Sequence, residues 1–118
     1  MADANQQKII IDIAIDSWRF SRLFLRMLNK LDASEASRYA SQFQYYLEKL
    51  EQNLQSAGIS LVNLEGQNYD PGMAVTVLNM EDFTANDNLL VEQMIEPIIM
   101  GQDGLTRGGT VMLGRARS

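Results

Sequence analysis

Residues 65–77 read EGQNYDPGMAVTV, and the way this stretch is read decides the fold. Pro71 fixes its own backbone and disfavours helix at Asp70, and Gly72 permits a turn. Val75, Thr76 and Val77 follow as a β-branched run. Before this corner, apolar residues recur at helical spacing; after it they cluster in short runs bounded by turn residues. The corner therefore divides a helical half from a β half. The expected fold class is α+β, an N-terminal antiparallel helical hairpin followed by a small, mainly antiparallel β-domain.

Working back from the corner, two helices are expected. The first runs from about residue 7 to 31 on Ile10, Ile13, Ala14, Phe20, Phe24, Met27, Leu28 and Leu31, with no Gly or Pro inside it. The second spans about 33–57 on Ala36, Tyr39, Ala40, Phe43, Tyr46, Leu47, Leu50 and Leu54. Asp32-Ala33-Ser34-Glu35 has the form of a capping box, and Gly58 stands where a left-handed C-terminal cap is wanted. A connection this short makes the helices antiparallel. Residues 1–58 are then a helical hairpin and dimerisation stalk, and residues 59–118 a β-domain and partner-binding head, with Gly58, Tyr69, Asp70 and Pro71 at the junction.

The first helix carries more apolar surface than a hairpin uses. Its face toward the second helix is expected to run from Ile9 and Phe20 to Leu28. The band continues through Ile11, Trp18 and Leu25, covering roughly 200° where a packed surface helix needs about half that. Ile11, Trp18 and Leu25 thus call for a further partner, either the C-terminal half or a second copy of the chain. A homodimer built as a four-helix bundle is the economical answer.

Working forward, Ile59–Leu64 reads as a short strand or extended lead-in, Ala74–Leu78 as a strand, and Met80–Asn88 as an acidic, Asn-rich loop. Leu89–Met100 is ambiguous. Pro97 argues against a continuous helix, and Ile95–Ile99 resembles an edge strand. A turn at Gly101–Gly108 and a last strand at Gly109–Arg115 complete a domain of about four strands.

With 118 residues the chain makes one compact domain or one small domain plus a helical arm. Its net charge of −5 is unevenly spread: residues 50–106 hold nine Asp/Glu and no Lys or Arg. That acidic middle disfavours nucleic acid, because duplex binding runs on phosphate neutralisation. A basic or polar protein partner suits it better. The longest apolar run, Ile9 to Ile15, is interrupted by Asp12 and is far shorter than the ~20 residues a membrane span needs. No signal peptide is visible, so no membrane partner and a cytoplasmic location are expected.

The absence of Cys and His excludes thiol and imidazole catalysis, disulfides and the usual zinc ligands. No metal and no cofactor is expected, and the chain does not read as an enzyme. The loop Asp82–Asn88 lacks the central glycine and terminal glutamate of a calcium loop. Gly104–Thr110 has glycine spacing like a phosphate loop but Thr110 in place of the lysine. Glu92 and Glu96 are a carboxylate pair without a pocket. Arg19, Arg22, Arg26 and Lys30 line one stripe of the first helix, either a solvated face or a seat for an acidic partner.

One resemblance goes further. Gly58-Ile59 through Leu64, then Gly66 and Tyr69-Asp70-Pro71, resembles the junction of GrpE-type nucleotide exchange factors. There a helix ends in Gly-Val or Gly-Ile and Phe-Asp-Pro opens the β-domain. Arg107-Gly108-Gly109-Thr110-Val111-Met112-Leu113 resembles the family's closing Arg-Pro-Ala-x-Val-x-Val strand. The likeness covers roughly residues 45–118. Departures include Gly72-Met73-Ala74 in place of His-Glu-Ala, a shortened Gly101–Leu105 hairpin, and Leu105 where the family places its chaperone-contacting arginine. The family's long paired N-terminal helix is truncated or missing. The resemblance implies a co-chaperone whose head binds the nucleotide-binding domain of a DnaK-type chaperone ATPase and favours its open form, so that ADP leaves. It points to Arg107 and Leu113 as partner-binding residues. An adaptor that binds such an ATPase, or another protein, without exchange activity is the alternative.

Overall fold

The protein is described here from a computed structural model, which covers residues 4–116. Two helices, α1 (Ala4–Leu28) and α2 (Ala33–Ser56), precede six strands: β1 (Ser60–Val62), β2 (Val75–Val77), β3 (Leu89–Glu96), β4 (Ile98–Gly101), β5 (Gly104–Arg107) and β6 (Gly109–Arg115). The layout is α+β. The chain divides into two compact units, one ending at Ser60 and the other beginning at Leu61.

The helical unit is set by its end signals. After Leu28 the chain tightens through i→i−3 bonds, Lys30 N–H to the Met27 carbonyl (3.0 Å) and Leu31 N–H to that of Leu28 (3.2 Å). This ends α1 a turn earlier than the apolar period alone suggests. Asp32 caps α2, accepting the Glu35 amide at 2.8 Å. At the other end Gly58 adopts φ 75°. Its amide donates to Gln55 O and that of Ile59 to Leu54 O, both at 2.9 Å, the pairing of a Schellman cap. Leu54 and Ile59, which flank this cap, are both buried. The helices are antiparallel and meet through Phe24 and Phe43, whose ring centroids lie 5.1 Å apart.

The β unit holds two three-stranded sheets, of order β1-β4-β5 and β2-β6-β3. Six strands therefore stand where about four were expected. The region 89–100 is neither a helix nor one edge strand. β3 runs to Glu96, Pro97 breaks the ladder because it has no N–H to donate, and β4 resumes as the central strand of the other sheet. The expected turn at 101–108 is itself a hairpin, with β4 and β5 antiparallel about Gln102-Asp103 and Gly104 at φ 110°. Pairing is mixed rather than uniformly antiparallel, since β2 runs parallel to β6. A three-residue 3-10 turn, Met80–Asp82, interrupts the acidic loop.

The core of this unit follows the two-residue period. Gly109, Val111 and Leu113 of β6 face inward, joined by Val91, Met94, Pro97, Ile98 and Ile99. Two register shifts in β3, between Val91 and Gln93 and between Met94 and Glu96, keep both ends of that strand paired to β6.

Candidate partner-binding surface

The junction residues build a corner. Asp70 Oδ1 accepts the Gly72 amide (2.9 Å), closing an Asx turn around Pro71. The Met73 amide returns to the Asp70 carbonyl at 2.9 Å. Just upstream, residues 66–69 run along the outer side of β3. The Gly66 amide donates to Val91 O, that of Val91 to Gln67 O, and that of Tyr69 to Leu89 O, all at 2.8–2.9 Å. The stretch from Gly66 to Pro71 therefore covers one sheet edge before the chain turns into β2. That is a structural task, and it accounts for Tyr69, Asp70 and Pro71 without a ligand.

Beyond β2 the pairing to β6 continues through a side chain. Leu78 N–H still donates to Val111 O, but at Asn79 the carboxamide takes over. Its Nδ2 donates to the Leu113 carbonyl and its Oδ1 accepts the Leu113 amide, both at 2.9 Å. Asn79 thus extends the sheet by one residue where the backbone turns away. Leu113 is 1 % exposed. A partner could touch it only by opening the core, so the contact role that the resemblance assigns to it does not fit this position.

Arg107 is different. It is exposed and ends β5, the outermost strand of its sheet. Leu105, two residues earlier, is 56 % exposed. Leu105 pairs with Met100 and Arg107 with Ile99. A register shift thus places the extra residue Thr106 between them on β5, and simple alternation does not hold there. The glycines that follow have a packing reason. A Cβ on Gly109 would stand 2.8 Å from the Glu96 carbonyl oxygen and 2.7 Å from Met94 Cε. One on Gly108 would stand 2.9 Å from the Ala74 carbonyl oxygen. Backbone here approaches backbone too closely for the Pro-Ala of the GrpE pattern.

A second surface escaped the sequence reading. A cleft of about 860 Å³ is lined by Asn68, Tyr69, Pro71, Met80, Phe83 and Leu89, among others. Arg115 lies over the Phe83 ring at 5.1 Å and pairs with Asp87 at 3.5 Å. Asp87 also accepts the Thr84 amide at 2.9 Å, and this bond, with the charge of Arg115, holds its carboxyl below the usual 3.8. Asp87, which stands at the place of the glycine that a calcium loop needs, is thus spent on ordering its own loop. Among the described residues no group of three or more acidic, His or Cys side chains is placed to hold a metal ion. The exposed Leu78 and Met80 lie in the same stretch of chain. Met80 and Phe83, apolar residues inside an acidic loop, were the available signal.

On α1, Ile11 is 7 % exposed and Trp18 and Leu25 are half-buried within the single chain. The exposed apolar residues of that helix are instead Ile9, Ile13, Phe20, Leu23 and Met27. The expected surplus thus exists but on a different face. Of the basic stripe, Arg22 stacks over Trp18 at 5.2 Å. Among the described residues no helix is long and apolar enough to cross a membrane. Comparison with protein-family models, with curated proteins and with solved structures returned no match.

Proposed function

We propose that this protein is a GrpE-like co-chaperone, acting in the cytoplasm, whose β-head binds the nucleotide-binding domain of a DnaK-type chaperone ATPase and promotes nucleotide exchange. It performs no chemistry on the nucleotide. The head binds the open domain more tightly than the closed one, and that difference in affinity drives ADP release. The observation that carries this reading is the outer strand β5, which exposes both an apolar side chain, Leu105, and a cation, Arg107. Exposed Arg and apolar side chains on one short edge strand are residue types that interfaces use. The bonded corner at Asp70 and the Asn79 clamp make the head a preorganised body, which limits the ordering cost of binding.

A second reading, an adaptor that binds without exchange, is favoured by two departures. Leu105 occupies the place of the family's contact arginine, and Leu113 is buried. Fewer state-selective contacts would leave affinity without a preference for the open form. Stopped-flow release of a fluorescent ADP from DnaK-type ATPases separates the two. Exchange predicts faster release in proportion to added protein, with the gain lost in Arg107→Ala. The adaptor predicts binding with an unchanged release rate.

A further inference from the structure

We propose that the cleft of the β unit binds a proline-rich peptide segment carrying arginine or lysine, held between the stretch 68–71 and the loop 80–89. The cleft measures about 860 Å³, within the range of about 300–1,000 Å³ that ligand sites occupy. None of its lining residues belongs to β5, so the inference does not rest on the exchange reading.

The backbone around the cleft is largely committed. Asn68 bridges Leu90, and the Tyr69 amide donates to Leu89 O at 2.9 Å. The Asp70 carbonyl accepts the Met73 amide, and Pro71 has no N–H. Residues 68–71 therefore offer little for an added strand to pair with. A ligand here is gripped by side chains rather than by a ladder, which suits polyproline II, a backbone that needs no hydrogen-bonded neighbour. The side chains fit that task. One segment contributes Tyr69 and Pro71, the other Met80 and Phe83. Among the described residues neither the Tyr69 nor the Phe83 ring lies against another aromatic ring. They are separate ridges for prolyl rings, not the joined walls of an ammonium cage. The exposed Asn68 and Asn88 carboxamides line the same cleft and bring N–H donors for the outward-facing carbonyls of such a peptide.

Charge selects the peptide's other feature. Asp70 stands between Tyr69 and Pro71, and Glu81 and Asp82 between Met80 and Phe83, all three exposed. Arg115 shows what Phe83 and its loop accept. Its guanidinium lies over the Phe83 ring at 5.1 Å, pairs with Asp87 at 3.5 Å and donates to the Asp82 carbonyl at 3.3 Å. Asp87 balances Arg115, so Asp70, Glu81 and Asp82 leave the rim negative, and residues 50–106 contain no Lys or Arg to offset them. A basic side chain beside the prolines is drawn to that rim, whereas an acidic peptide is repelled. Both segments are fixed before binding. Asp70 Oδ1 accepts the Gly72 amide and Asp87 the Thr84 amide, each at 2.9 Å, which limits the ordering cost.

The test uses the full chain. Selection from a random peptide library displayed on phage should enrich sequences that combine prolines with Arg or Lys. In fluorescence polarisation, a labelled enriched peptide should lose about tenfold or more in affinity when its prolines become alanine, and again when its basic residue becomes glutamate. On binding, backbone amide chemical shifts should move at Asn68, Tyr69, Phe83 and Asn88. Phe83→Ala and Met80→Lys should each weaken binding about tenfold or more. Met80 is 42 % exposed, so the second variant keeps the fold. No enrichment, or enrichment of peptides without proline, would overturn the proposal. So would chemical-shift changes that spare the cleft, or a peptide that binds both variants as tightly as wild type.

Discussion

Replacing Asn79 by Ala removes both hydrogen bonds that hold Leu113 beyond the end of β2. Each bond contributes about 1 kcal/mol net, but the loss leaves the Leu113 N–H and C=O without partners, at about 1–3 kcal/mol apiece. Asn79 is 9 % exposed, so water reaches the vacated site only in part. The expected destabilisation of the β-head is about 3 kcal/mol. Amide hydrogen exchange reads this locally. Protection at Leu113 and Val111 should fall roughly a hundredfold, at 1.4 kcal/mol per factor of ten, while α2 amides stay as they are. Asn79→Asp sharpens the logic. Its carboxylate still accepts the Leu113 amide but sets a second oxygen against the Leu113 carbonyl. That variant should be weaker than wild type at neutral pH and recover as acid protonates the carboxyl and restores a donor. A loss below about 1 kcal/mol for Asn79→Ala would refute the view that this side chain stands in for a missing strand residue.

Gly109→Ala should destabilise the head by about 2 kcal/mol in urea titrations, because its Cβ meets the fixed Glu96 carbonyl as well as the flexible end of Met94. Asp32→Ala should cost about 1 kcal/mol of helical-unit stability by thermal circular dichroism, through loss of the N-cap bond to Glu35. The Asp87 carboxyl is held below 3.8 chiefly by the Thr84 amide. Its ordering of the 84–87 loop is therefore complete above that value and lost as pH falls through the lowered one. Exchange of the Thr84 amide should accelerate over that acid range, and Asp87→Asn should flatten the dependence.

Local signals carried much of the architecture. Asp32, Gly58 and the Asp70-Pro71-Gly72 corner act through bonds within a few residues, so their geometry was readable from residue type and spacing. Pro97 was legible as a break but not as a crossing between sheets. Which sheet a strand joins depends on pairing across long separations, as does the parallel match of β2 to β6. The Asn79 clamp was illegible for the same reason, since its partner lies 34 residues away. On α1 the amount of surplus apolar surface could be read, but not its face. The helix is apolar on two sides, and only the fold decides that Ile11 is buried and Ile13 exposed. Arg107 is exposed and Leu113 buried, a difference that sequence alone did not show, because in-out alternation along β6 is set by its register with β3.

Release of a fluorescent ADP from a DnaK-type ATPase is the decisive measurement for the proposed role of the β-head. The wild-type chain should accelerate release, Leu105→Asp and Arg107→Ala should each remove most of the acceleration, and Asp32→Ala should leave it in place. A release rate that does not change with added wild-type protein, measured under conditions where binding is saturated, would contradict nucleotide exchange as the function of this fold.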